Sequence, residues 1–244
     1  MIGRLAWPTL LLALAVVTGF LQIDRQAAIT PSLARLVPEP LRNYAQTRIA
    51  AAAADGPDSS VALEEAERLV RRRPVPAEHL TLLAFAQTRA DQVEQTGVTI
   101  QIAAQRGWRE PVAQEAVLRL ALAASDQAEA ARRFAALFLN KSTPNALLQE
   151  LAPAVLGETD GPGQDTLVEI ISGTDRWHAT FLRRGEQVMP PAAFADIAIA
   201  SMARGTRFDC TVLSQTVIGL RRKDAASAER IAAAAQKHCP QGLT

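Results

Sequence analysis

Cys210 and Cys239 are the only two cysteines in the chain, and their setting offers the most specific chemistry in the sequence. They bracket a pattern that predicts a helical hairpin: one helix from about Asp209 to Arg221, a turn at Lys223 and Asp224, and a second helix from about Ala225 to Lys237. Antiparallel packing sets the start of the first helix beside the end of the second, so the sulfurs can meet. A bond closing a loop of about 30 residues stabilises by about 3–4 kcal/mol in the chain-entropy model. Such bonds persist outside the cytoplasm. The competing reading is a pair of small buried thiols. Zinc is the poorest of the three, because only His238 lies nearby and the metal takes four ligands.

The other reactive side chains do not converge. His79, His178 and His238 are scattered, and none lies in an H-x-x-x-H spacing. There is no G-x-S-x-G and no glycine-rich loop with a following lysine. Gly157, Gly161 and Gly163 share a stretch with Glu158, Asp160 and Asp165, but the ligand spacing of a calcium loop is missing. A connector after a helix ending at Gly157 explains them. Glu64 and Glu65 fall on a helix with Arg68 and Arg71 to Arg73, where ion pairing is the ordinary outcome. Arginine doublets recur at 132–133, 183–184 and 221–222, and most are expected in last helical turns, where they suit the macrodipole.

A sharper alternative is a groove for acidic peptides or anionic envelope polymers. Trp177, Phe181 and Arg184 share one helical face and would make an aromatic-plus-guanidinium platform; the plainer fate of the tryptophan is the core. No motif calls for a cofactor or a metal, and no catalytic residue is assigned. An enzymatic alternative, an all-α periplasmic hydrolase with Glu169 or Glu186 as general acid, requires a deep cleft and a carboxyl of raised pKa.

The elements that must position these residues begin with an anchor. Leu5 to Ile23 reads LAWPTLLLALAVVTGFLQI, with no charge inside it. About 19 apolar residues at 1.5 Å rise approach the thickness of a bilayer core. Pro8 sits in the first turn and Trp7 where interfacial aromatics are common. A cleaved secretory signal has a shorter apolar core followed by a small-x-small site, and the exit here reads TGFLQIDRQAA. An uncleaved transmembrane helix over residues 1–23 is the better fit. Arg4 and the free amine flank one end, while Arg25 at the other is offset by Asp24. The positive-inside rule then places the remaining chain outside the cytoplasm, in the periplasm.

That remainder reads as all-α. Aromatics make up 5% of the chain and hydrophobic residues 48%, with alanine dominant, a composition that favours helix. The lysines are Lys141, Lys223 and Lys237 alone, and the arginine skew associates with GC-rich bacterial coding. A net charge of +1 gives no concentrated basic face for nucleic acid. Residues 24–40, with Pro31, Pro38 and Pro40, read as a linker. Beyond them, apolar positions recur at helical spacing: Ala62, Ala66, Leu69 and Val70 on a helix that Ser60 could cap; Val117, Leu120, Ala121 and Ala124; Ala131, Phe134, Ala135 and Phe138 after a capping-box-like Asp126 and Glu129. No segment alternates with period two long enough to predict a strand.

The chain also repeats itself. LAFA at 83–86 with DQVEQ at 91–95 matches LALA at 120–123 with DQAEA at 126–130. Each unit is helix, turn, helix, and such a pair must stack on a neighbour to bury its apolar stripe. Residues 41–143 resemble degenerate tetratricopeptide repeats. The matching positions are Ala84 and Ala121 in first helices, Gly97 and Ala104 or Ala131 and Ala135 in second helices, and Pro74, Pro111 and Pro144 near the boundaries; the family's early Trp, Gly and Tyr are absent. The resemblance implies an α-α superhelix over residues 41–156, an irregular helical segment over 157–205 that departs from the period, and a hairpin cap over 206–244. It implies a scaffold or adaptor whose first helices grip a protein or peptide, through Arg42, Gln46, His79, Gln87, Gln114 and Arg119, with homodimers through unsealed ends. A cytoplasm-facing regulatory adaptor is the third alternative, and it requires free thiols.

Overall fold

The computed structural model describes residues 2–240, with no side-chain description for residues 2–5. The orientation argument from Arg4 and the N-terminal amine thus falls on side chains outside that description. The described residues contain thirteen α-helices, three 3₁₀ turns and no strand. The fold is all-α, as the sequence predicts. It divides into two compact units, Met1–Gly107 and Trp108–Thr244.

In the first unit, α1 (Ile2–Ala27) carries Ala6–Ala27, an apolar stretch long enough to cross a membrane; its apolar run is left uncovered by the rest of the protein, and burial begins only near its end, at Asp24 and Ala27. Four helices follow: α2 (Tyr44–Ala54), α3 (Ser59–Arg72), α4 (Ala77–Arg89) and α5 (Val93–Arg106). Each packs on the next from α2 to α5, and α2 also packs on α4. Alanine makes this close approach possible: Ala62, Ala66 and Ala86 form one buried contact, with Leu63 and Leu83 around it. The helix expected to be capped by Ser60 is capped two residues earlier, by Asp58, whose carboxylate accepts from the amides of Ser60 and Val61.

The segment read as a linker is folded. Pro31–Leu36 and Glu39–Leu41 form 3₁₀ turns, and Ala27, Ala34, Val37 and Ala45 share a small core. Three prolines suggested a tether because they break helices. Here they start short turns that α1 and α2 pack against.

The second unit holds α6 (Pro111–Ala123), α7 (Gln127–Leu139), α8 (Asn145–Leu156), α9 (Pro162–Ser172), α10 (His178–Val188), α11 (Pro191–Ala203), α12 (Cys210–Arg221) and α13 (Ala225–Ala235), with a 3₁₀ turn at Asp175–Trp177. The helices form two rows. One runs α7, α9, α11, α13 and the other α8, α10, α12, each member packed on the next. A single core runs through both, from Leu118 to Cys239, with Phe134, Phe181 and Phe194 fully buried in it.

Residues 157–205, expected as an irregular helical segment departing from the period, form the regular helices α9, α10 and α11. First helices begin at Pro111, Asn145, His178 and Cys210, and in the first unit at Tyr44 and Ala77, a recurrence of about 33 residues throughout. The glycines and proline of GETDGPGQD are punctuation. Gly157 ends α8, Gly161 is the N-cap of α9 and Pro162 its first residue. Gly163, also read as connector, lies in the first turn of α9, where an added Cβ would stand 2.0 Å from the carbonyl oxygen of Val155. The C-terminal hairpin shares the core of this unit rather than sealing it as a separate cap.

Candidate functional site

Cys210 opens α12, and Cys239 lies just beyond α13, buried against the core. The two are bonded, with their Cα atoms 5.8 Å apart. Among the described residues no cysteine is free. The bond indicates an oxidising compartment and speaks against the free thiols that a cytoplasm-facing adaptor requires.

Four of the six residues predicted to grip a partner from the first helices point into the protein. Gln46 is fully buried and donates to the carbonyl oxygen and the carboxylate of Glu65. His79 is buried between the carbonyl of Arg73, 3.0 Å from Nδ1, and the Thr47 hydroxyl. Gln87 is buried in α4, and Gln114 is buried in α6 beside Arg133. Their helices are as expected, but the phase is turned inward. Arg119 is half-exposed and held by Glu115 and Glu150. Arg42 is partly buried, with Nε donating to the carbonyl of Val37. Gly97, matched to a close helix contact, has no other atom within 4 Å of the position its Cβ would take.

The platform on α10 divides as well. Phe181 is fully buried, its ring tilted on Phe194 and stacked on Phe208. Trp177 and Arg184 remain together on the wall of a cleft of about 580 Å³ between α10 and the turn joining α7 to α8. Arg184 builds that wall. Its guanidinium donates to the carbonyls of Phe138, Asn140 and Thr143, and its Nε donates to the side chain of Asn145. It also covers the face of Phe138, with 5.7 Å from guanidinium carbon to ring centroid. Burial lowers its pKa, though the group stays cationic.

Lys141 and Arg183, both exposed, complete the lining, and no carboxylate lines the cleft. Neither residue has an acidic partner among the described residues. Thr143 lies in the same wall, 3% exposed, and its hydroxyl oxygen has no hydrogen-bond partner there. Three cations, two aromatic rings and an unsatisfied hydroxyl thus converge on one concavity. Sequence periodicity could place Trp177 and Arg184 on one face, but it had no means of bringing in Lys141, 36 residues before Trp177 in the chain.

The other charged groups are paired within helices or between neighbouring elements. Arg68 pairs with Glu64 and Glu65, each at 2.5 Å. Arg132 and Arg133 sit in the first half of α7, not its last turn, and hold Glu129. Asp126 caps α7 through the amide of Glu129, but the Glu129 carboxylate goes to the arginines instead of returning a bond to the cap. Of the carboxylates named for acid catalysis, Glu169 is exposed on α9, while Glu186 is tied to Lys223 at 2.8 Å. Those carboxyl groups whose ionisation is displaced, Asp58, Glu129 and Asp224, are all displaced downward. Among the described residues, no group of His, Cys, Asp and Glu is arranged to hold a metal ion.

The fold and cleft together define an all-α protein of repeated helical hairpins with, among the described residues, one membrane-length apolar helix. Compared with family models, curated proteins and solved structures, the chain has no significant match.

Proposed function

We propose that this chain is a membrane-anchored scaffold of tetratricopeptide-like hairpins that binds a protein partner in the bacterial envelope. In this reading α1 is the single pass through the inner membrane, and the helical units stand on the periplasmic side, where the Cys210–Cys239 bond persists. The partner contributes an acidic, extended segment to the cleft on α10. The observation that carries the proposal is the lining of that cleft: Lys141, Arg183 and Arg184 beside Trp177 and Phe138, with no carboxylate to neutralise them. A carboxylate-bearing peptide would meet guanidinium and ammonium donors at the rim, while its apolar side chains lie on the rings.

The test uses the full chain in detergent and a fluorescence titration with a glutamate-rich peptide, with Trp177→Phe assigning the signal. Saturable binding that weakens with salt, and at least tenfold with Lys141→Ala and Arg183→Ala combined, is the expected result. A photo-crosslinker at Thr180 in native membranes then identifies the partner. The proposal fails if acidic and neutral peptides behave alike and the crosslinker captures no protein.

A further inference from the structure

A second basic cleft lies at the foot of α1, and the proposed peptide site on α10 does not use it. About 660 Å³ in volume, it is lined by Arg35, Arg42 and Arg48, with Ser32, Ile49 and Ala53 among its other walls and no carboxylate. Two acids on the adjoining elements are already committed. Asp24 is buried, its carboxylate accepting from the amides of Asn43, Tyr44 and Ala45. Glu39 faces Arg68 and Arg72, at 3.5 and 3.6 Å. Arg35 is exposed and has no acidic partner among the described residues.

The position of this cleft along α1 limits what can occupy it. Arg48 donates to the carbonyl of Ala28, one residue beyond the last of α1, so the cleft is pinned where the apolar helix ends. Through Asp24 the same helix is hydrogen-bonded to the start of α2, and the residues between them are folded into two 3₁₀ turns. The exit from a hydrocarbon core about 30 Å thick falls near Asp24, and the headgroup layer beyond it is roughly 5–7 Å deep. Residues 28–36 therefore stand at headgroup depth. On that stretch Ile29 is 79% exposed and Leu36, next to Arg35, is 60% exposed. Exposed large apolar side chains beside a basic one suit a segment that lies in a membrane interface.

We propose that the cleft of Arg35, Arg42 and Arg48 binds the phosphate headgroup of an anionic phospholipid in the leaflet from which α1 emerges, with Ile29 and Leu36 dipping toward the acyl boundary. The guanidinium fork suits a phosphodiester, and the negative surface of an anionic leaflet adds a general attraction. This rests on α1 crossing the bilayer.

The experiment is hydrogen exchange on the full chain in nanodiscs of phosphatidylcholine, or of phosphatidylcholine with phosphatidylglycerol. A third arm adds inorganic phosphate to the chain in detergent. Slowed exchange over residues 28–42 in phosphatidylglycerol nanodiscs alone, lost with Arg35→Glu, supports the proposal. The substitution should weaken retention of phosphatidylglycerol by about fivefold or more. Equal exchange in both lipids overturns it, and so does protection by inorganic phosphate without lipid. Protection of residues 6–22 in both nanodiscs separately reports the insertion of α1, so failure of the anchor is distinguishable from failure of the headgroup site.

Discussion

The carboxylate of Asp24 accepts a hydrogen bond at 2.8 Å from the backbone amide of Asn43, nineteen positions further along the chain. Two further amides, of Tyr44 and Ala45, turn to the same carboxylate. One side chain at the end of α1 thus serves as the N-terminal cap of α2, which Asn43 itself does not cap. Asp24→Ala leaves three amides at that junction without their acceptor and should cost about 2–4 kcal/mol. Faster hydrogen exchange at residues 43–46, with α12 and α13 unchanged, is the expected readout. Unchanged exchange there would show that the junction is held by packing alone.

Arg184 should prove structural while its neighbour does not. Its bonds to the carbonyls of Phe138, Asn140 and Thr143 tie the end of α7 to α10. Arg184→Ala is expected to destabilise the second unit by about 2–4 kcal/mol, and Arg184→Lys to recover little, because an ammonium cannot reproduce the fork. Arg183→Ala should stay within about 0.5 kcal/mol of wild type. Thermal melts of the three variants decide this.

Two glycines in helices should respond in opposite senses to alanine. At Gly163 the added methyl meets the Val155 carbonyl oxygen at 2.0 Å, a backbone atom that no side-chain rotation can move. Gly163→Ala is expected to cost about 1–3 kcal/mol or more. At Gly97, inside α5 with open space around it, alanine should stabilise by up to about 1 kcal/mol through helix propensity. Matching melting temperatures for the two variants would refute the close approach of α8 and α9.

Acid should loosen α7 in a defined window. Burial pushes the Glu129 carboxyl upward, but bonds from Arg133 and then Arg132 outweigh it, and the net pKa lies below its ordinary value. A carboxylate depressed in the folded state contributes stability above its unfolded pKa, and that contribution is lost as pH falls through the folded value. The gap in melting temperature between wild type and Glu129→Gln should be full at pH 7 and close progressively below about pH 4. A gap that does not change with pH would assign the effect to packing.

Much of the fold was legible because helices write a period into the chain. The apolar faces of α3 and α7 and the Cys210–Cys239 hairpin follow from local spacing, whereas on α6 only Val117 and Ala121 of the expected face are buried and Leu120 and Ala124 are exposed. The glycines before α9 misled for an equally local reason: two helix termini and a turn compressed into nine residues look like lost structure. Contact residues were harder. Gln46, Gln87 and Gln114 are polar, and polarity points to solvent, yet α2, α4 and α6 rotate them into the interior.

What the sequence determined by itself is the class of elements: an apolar span at the N-terminus, hairpins of helix thereafter, and two cysteines at hairpin-closing separation. Only the tertiary structure decided which faces turned inward and which distant residues met. Helix formation depends on neighbours within four residues, so it is encoded locally. The meeting of Lys141 with Trp177, or of Arg48 with the end of α1, depends on how helices many residues apart pack, and no window along the chain contains that information.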